Sequence, residues 1–378
     1  MVHHLEPAGW PTTSKESSFV YSLTPGYRIP AIQRGLSPAE TLLTKANAGL
    51  GSAVLMSAML TPPPVWTFGA VGAAAALINV APGPRSVGRW AAVGYRHLRE
   101  RTVPGTMTGR PGATATWALY PDHGTMQDNQ RRAAFHDQLS RALAFAGGQA
   151  RSAGVQVHVT HHAASSDYTA HTQTVSVHVP KGLAGQPDRV LDTLAGEFAA
   201  LGALMPITPG PIPAVADRGA GWVGLDDGRF AATARITSWP EETGGDLMPR
   251  MLLGSDSGVA RSFAVLYRPL PVGQSRRSAK WQRAAAEAFT TDRVKQDAHD
   301  LASGTAHGAL VQGATLVDLD AYLTVWGDSP DTVSDARWQA SLAADRHRIG
   351  LDWLTGQQHR AHVMTTPHGA STRKGAIL

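Results

Sequence analysis

ANAGLGSAVLMSAMLTPPPVWTFGAVGAAAALINVAPGP, residues 46–84, contains no charged side chain, and its reading decides the architecture of the whole chain. Pro62, Pro63 and Pro64 divide it into two apolar segments. Consecutive prolines remove backbone donors and end a helix, so the stretch predicts helix, turn, helix. The first helix is expected over Thr41–Thr61, with Lys45 reaching outward along its aliphatic stem, and the second over Val65–Val80. Segments of this length approach the roughly 17–25 residues that cross a bilayer, so residues 41–84 are expected to form a two-helix transmembrane hairpin. Gly69 with Ala73 and Gly72 with Ala76 repeat small residues four apart, a spacing that lets helices approach closely in lipid. Trp66 stands where an interfacial aromatic belongs. The competing reading is a helical pair buried within a folded domain, and the length of the charge-free run favours lipid.

Cations flank the run on both sides. Arg28, Arg34 and Lys45 precede it, Arg85, Arg89, Arg96, Arg99 and Arg101 follow it, and the turn carries none. By the positive-inside rule both termini are expected in the cytoplasm, with the hairpin in the inner membrane. Residues 1–40 then form a cytoplasmic amino-terminal segment. They lack a basic start followed by a short apolar core and a cleavage site, so no secretory signal is expected. Within residues 85–104, Arg85–Arg101 predicts an amphipathic exit helix whose arginines meet anionic lipid head groups.

Composition agrees with contact to lipid: hydrophobic residues are 43% and charged residues 17% of 378. That length suits two domains. The absence of cysteine excludes disulfides, thiolate zinc sites and cysteine nucleophiles. A net charge of +5 favours acidic partners, lipid or nucleic acid.

Beyond residue 104, strands and helices alternate, predicting cytoplasmic α/β sandwich domains and an α+β class overall. Ala113–Tyr120 reads as a strand, Gln127–Ala146 as a helix, and Val155–Val159 with Thr172–Val179 as a strand pair around the loop AASSDYTA. Val190–Leu204 reads as a helix. PITPGPIP, residues 206–213, cannot sit within a regular element and separates a first domain, 105–207, from a second, 214–370, with a tail at 371–378. In the second, Phe230–Ser238, Ser262–Tyr267, Ala321–Val325 and His359–Thr365 are expected strands. Asp246–Leu253 and Ala336–Arg348 are expected helices. A long polar helix, Arg276–Ala302, is an insertion. The resulting β-α-β-β-α-β order is ferredoxin-like.

No catalytic motif emerges. There is no G-x-x-x-x-G-K-[ST], and Gly254-Ser255-Asp256-Ser257-Gly258 has aspartate where a nucleophile elbow needs serine. His158, His161, His162, His171 and His178 gather on the strand pair, a candidate zinc cluster for a metal-dependent hydrolase. With no H-E-x-x-H and one nearby carboxylate, Asp167, a solvated strand face is the favoured reading, and no cofactor is expected. Arg276, Arg277, Lys280 and Arg283 form a basic patch for DNA or another partner, diluted by Glu287, Asp292, Asp297 and Asp300 on the same helix.

The runs Ile236-Thr-Ser-Trp239-Pro240, Leu247-Met-Pro249-Arg-Met-Leu252, Arg261-Ser-Phe-Ala-Val265-Leu-Tyr-Arg-Pro269-Leu-Pro271, Ala321-Tyr-Leu-Thr-Val325 and Leu354-Thr-Gly356-Gln357-Gln358 carry a resemblance. They resemble an actinobacterial family of membrane proteins encoded with conjugation-like, type IV-related secretion genes. In that family two membrane spans precede a region similar to the non-catalytic amino-terminal part of the type IV secretion ATPase, and the motor is a separate chain. The two-span E component of type VII secretion has similar architecture and stands as the alternative. The resemblance implies a non-catalytic inner-membrane scaffold in a homo- or hetero-oligomer. Its implied partners are a separate secretion ATPase, other membrane subunits, anionic lipid and a transported substrate, DNA or protein.

Overall fold

The computed structural model describes residues 47, 49–57, 64–79, 86–99, 112–122, 125, 129–149, 155–164, 171–180, 186–240, 252–254, 259–271, 273–277, 310 and 315–368. The transmembrane hairpin expected over 41–84 is not there: among the described residues no helix is long and apolar enough to cross a membrane. Helix α1, Val65–Asn79, has 15 residues. At about 1.5 Å per residue it rises about 22 Å, short of a hydrocarbon core about 30 Å thick. The triple proline is the cause, because it stops the preceding helical stretch, residues 49–57, from adding its length to α1. Helix α2, Val87–Arg99, follows and packs on α1.

The body is one large antiparallel sheet with helices on one face. Its first half runs β1 (Gly112–Pro121), α3 (Asn129–Gln149), β2 (Gln156–Ala163), β3 (His171–Pro180), α4 (Pro187–Ala199) and β4 (Gly202–Pro206). The strands lie in the order β4-β1-β3-β2, the split β-α-β arrangement. Alternation sets the two faces. Val157, Val159, Val175, Val177, Trp117 and Leu119 pack under Leu143, Ala146, Leu194 and Phe198 of α3 and α4. Each fully buried Leu or Phe there contributes about 1.5–3 kcal/mol. The helix expected over Val190–Leu204 ends at Ala199 because Gly202, at φ +149°, lies against the backbone of Tyr120 and opens β4.

After residues 207–214, β5 (Val215–Arg218) and β6 (Val223–Leu225) form a hairpin beside β7 (Phe230–Ser238). Then come β8 (Arg261–Pro269), β9 (Val317–Gly327), α5 (Pro330–Arg346) and β10 (Gly350–Trp353), with strand order β8-β9-β7 and β10 on the outer side of β7. Ser329 and Thr332 close a capping box at the start of α5. The expected helix Asp246–Leu253 falls almost wholly outside the described residues. The long helix Arg276–Ala302 is described only at its start, where residues 273–277 are helical.

The two halves are sewn together by β2 and β8, which pair antiparallel from Val157↔Tyr267 to Ala163↔Arg261 about a centre at Thr160↔Ala264. Helix α5 covers the same face as α3 and α4, packing Val333, Ala336, Ala340 and Ala344 on Phe263, Val265, Leu323 and Val325.

The closing strand expected at His359–Thr365 is instead a short helix α6, Gln358–Ala361, and a 3-10 turn, His362–Thr365. Gly356, at φ +77°, turns the chain out of the sheet after Trp353. The segment then runs as a strap across the far face. It touches Thr233 of β7, Thr324 of β9, His158 of β2, and Ser176 and Thr116 of β3 and β1. The residues 207–214 accompany it, with the Gly210 carbonyl meeting His368 Nε2 at 2.5 Å. From Pro206 to Val215 an extended chain spans at most about 32 Å, whereas eight strand spacings from β4 to β5 sum to about 38 Å. The sheet therefore curls around the strap.

Candidate functional site

The helical pair leaves an apolar surface uncovered. On the stretch 49–57, Leu50, Leu55 and Met56 are exposed, and on α1 Val65, Trp66 and Phe68 are exposed, Val65 to 86% and Trp66 to 72%. Helix α1 is apolar on every side, a composition normally found where a helix is surrounded. The two helices meet at Val71, whose Cγ1 lies 3.6 Å from where a Cβ on Gly51 would stand and whose carbonyl accepts from Asn47 Nδ2 at 3.5 Å. Gly69 and Gly72, expected at this seam, have nothing within 4 Å of an added Cβ and belong to the exposed surface. Pro62 and Pro63 lie outside the described residues. Pro64 starts α1, its carbonyl accepting from the Thr67 N–H at 2.9 Å and hydroxyl at 2.6 Å.

Helix α2 ties the pair to the body: Val93 is buried and sits against Gly356, at the root of the strap. The Arg89 N–H donates to Ser86 Oγ at the helix start, and Arg96 and Arg99 belong to the same helix. Arg85 lies outside the described residues. Arg276 and Arg277 are exposed on the short helix 273–277, anchored between them and the sheet by buried Ser275, which hydrogen-bonds Leu270, Thr315 and Leu316. Lys280 and Arg283 lie outside the described residues.

The histidines are not on a solvated face. His158, Ser176, Thr116, Thr324 and Thr233 form a polar row on the far side of the sheet, and the strap covers it. His158 Nε2 donates to the Met364 carbonyl at 2.8 Å, and burial lowers its pKa to about 4 despite that bond. His161 lies on the opposite face, stacked with His171 at 5.4 Å between centroids and bonded to it from Nδ1 to Nε2 at 3.2 Å. Burial, then the second imidazole, drive His161 to about 3. His178 Nδ1 pairs with Thr114. Among the described residues no group of three or more His, Cys, Asp or Glu is placed to hold a metal.

His162 Nδ1 and Ser262 Oγ lie 2.8 Å apart, a spacing that a nucleophile and base would share. Ser262 is 2% exposed and also accepts from Trp326 Nε1, so its oxygen is enclosed between the indole and the imidazole and closed to a substrate carbonyl. Further along β9, opposite Leu266, Asp320 is held by Arg235 and by Arg268. Burial alone would raise its pKa, and the two guanidiniums reverse that and hold it below the usual carboxylate range.

A second exposed surface escaped the sequence reading. Trp338 and Leu342 of α5 are 68% and 39% exposed, opposite the helix's buried stripe. The signal was available, because Trp338 is out of phase with Val333, Ala336, Ala340 and Ala344. Among the described residues, the helical pair and α5 thus each present exposed apolar side chains. No family model and no curated protein matches the chain.

Proposed function

We propose that this chain is a non-catalytic scaffold subunit of a secretion or conjugation apparatus, attached by its helical pair to neighbouring membrane subunits and working beside a separate ATPase. The observation that carries this is the exposure of Leu50, Leu55, Met56, Val65, Trp66 and Phe68 on two adjacent helices. Contiguous apolar surface of this kind marks an interaction site. A helix apolar all round and too short to span fits a slot between apolar helices of another subunit, where each of its sides is covered. The resemblance of the second half to secretion-associated membrane proteins supplies the type of assembly, and the sheet body supplies a rigid platform.

The test is a tagged chain at native expression, solubilised in mild detergent and sized. The expected result is migration with a large complex that contains a P-loop ATPase, identified by mass spectrometry. Leu55→Ser/Trp66→Ser/Phe68→Ser, which alters exposed positions only, should return the chain to its own size. A wild-type chain that runs free, or a complex without an ATPase, would sink the proposal.

A further inference from the structure

The two halves of the sheet repeat one another. The first has the order β4-β1-β3-β2, and in the second β10, β7, β9 and β8 lie in the matching order: fourth strand, first, third and second. The helix between the third and fourth strands, α4 in one half and α5 in the other, begins at a proline in both and packs on the same face.

The seam supplies the symmetry operator. Half a turn about the pair Thr160↔Ala264, perpendicular to the sheet, carries His158 onto Ser262, because His158↔Leu266 and His162↔Ser262 stand at equal steps on either side. Ser176, opposite His158, then falls on Thr324, opposite Ser262, and Thr116 falls on Thr233. The correspondence holds to the edge: β4 pairs with Trp117–Pro121 of β1, and β10 with the matching Ala234–Ser238 of β7. The first residue past each strand donates to the matching carbonyl, the Ile207 N–H to Thr116 at 2.9 Å and the Leu354 N–H to Thr233 at 3.1 Å. This is the closed two-fold of a homodimer, written within one chain.

The same operator relates the two segments on the far face. Residues 207–214 leave β4 for β5 on the outer edge of the second half, and the strap leaves β10 for β1 on the outer side of the first. They run in opposite directions and touch in passing, His368 at the Gly210 carbonyl and His362 at the Pro213 backbone. We infer that the chain is an internal dimer: two copies of one four-stranded unit joined edge to edge, each locked by an arm that crosses the other. Residues 207–214 act as one of these arms and not as a hinge between two domains. The β5–β6 hairpin is an addition to the second copy, with no counterpart among the described residues of the first. The inference concerns the sheet body alone and does not rest on the apparatus proposed above.

Because each arm is held by the other copy, neither half should open alone, and two measurements on the full-length chain test this. In native-state hydrogen exchange, the buried Val175 and Val177 of one copy and the matching Leu323 and Val325 of the other should exchange through one opening, their rates rising by the same factor as urea is added. Thr116→Val/Ser176→Ala alters only the first copy and removes the hydroxyl donors to the Pro367 carbonyl of the second copy's arm. It should raise all four rates by the same factor. The second measurement uses a circular permutant with Leu378 joined to Met1 through a Gly/Ser linker and the chain opened between Gly210 and Pro211. It keeps every residue and exchanges the order of the copies, and it should unfold in urea in one transition with the wild-type slope. No rise in the double variant, a rise confined to Val175 and Val177, or a permutant that fails to fold or unfolds in two steps would each overturn the inference.

Discussion

His158 Nε2 and the Met364 carbonyl, 206 residues apart in sequence, lie 2.8 Å apart under the strap. A carbonyl only accepts, so the proton is on Nε2 and the neutral ring leaves Nδ1 buried without a hydrogen bond. Protonating Nδ1 would place a charge there, beside Arg268 and His368, which already oppose it. The strap is thus locked by a histidine that must stay neutral.

Acid should loosen this lock. Unfolded, His158 takes up a proton near its ordinary value of 6.5, whereas folded it waits until about 4. Between these values the unfolded chain binds more protons, so stability falls as pH falls from about 6.5 and the loss is complete near 4. His161 and His171 act in the same direction. Urea midpoints should drop between pH 7 and pH 5, and His158→Gln should flatten that dependence while lowering the midpoint at pH 7. A pH-independent wild-type midpoint would contradict this.

Gln358 plugs the outer edge of β7. Its Oε1 accepts from the Thr233 N–H at 2.7 Å and its Nε2 donates to the Thr233 carbonyl at 3.0 Å, in the gap between the β6 and β10 pairings. Gln358→Ala should cost about 2–3 kcal/mol by stranding a buried N–H. Gln358→Glu should cost at least as much, since a carboxylate cannot donate to the carbonyl. Equal stability of all three proteins in urea would refute the role.

Removing Asp320 should strand two guanidiniums. Arg268 and Asp320 are nearly enclosed and Arg235 is about a third exposed, so Asp320→Ala should cost about 2–4 kcal/mol, at the lower side of a fully buried pair. Its depressed pKa gives the opposite titration range from the histidines. The contribution is present above the ordinary carboxylate value and is lost only as pH falls through the lower folded one. Comparing wild type and variant at pH 7 and pH 3 should show the difference shrinking at pH 3.

Gly254→Ala tests a backbone requirement. Gly254 sits at φ +68°, and an added Cβ would stand 2.6 Å from Nε and 2.7 Å from Cδ of buried Arg261. Strain of about 1–2 kcal/mol from the left-handed backbone adds to the displacement of Arg261. The variant should melt several degrees lower, whereas Gly148→Ala, with open space around its Cβ, should not.

Much of the secondary structure was legible because strand alternation and helical period are local. Phe230–Ser238, read as a strand after the turn Asp226-Asp227-Gly228, has in the fold the bounds expected of it, and Ala113–Tyr120 lies within one residue of β1 at each end. The candidate sites were less so. Apolarity marked residues 41–84 as a transmembrane hairpin, but crossing a bilayer depends on helix length, and α1 has 15 residues. The Thr, Ser and His row looked solvated because polar side chains alternate with valines, and a covering segment two hundred residues away leaves no local trace.

Composition and periodicity alone thus settled an α+β chain without cysteine, its main strands, the break at the triple proline and the greasy run before and after it. Three-dimensional packing alone decided that β2 and β8 join two halves into one curled sheet, that Thr355–Pro367 leaves the sheet edge to cross its far face, and that the described residues of the apolar helices stand largely uncovered. The reason is range: periodicity is written by neighbours three or four residues away, whereas His158 on Met364 and Gln358 on Thr233 are bonds between residues that only the folded chain brings together.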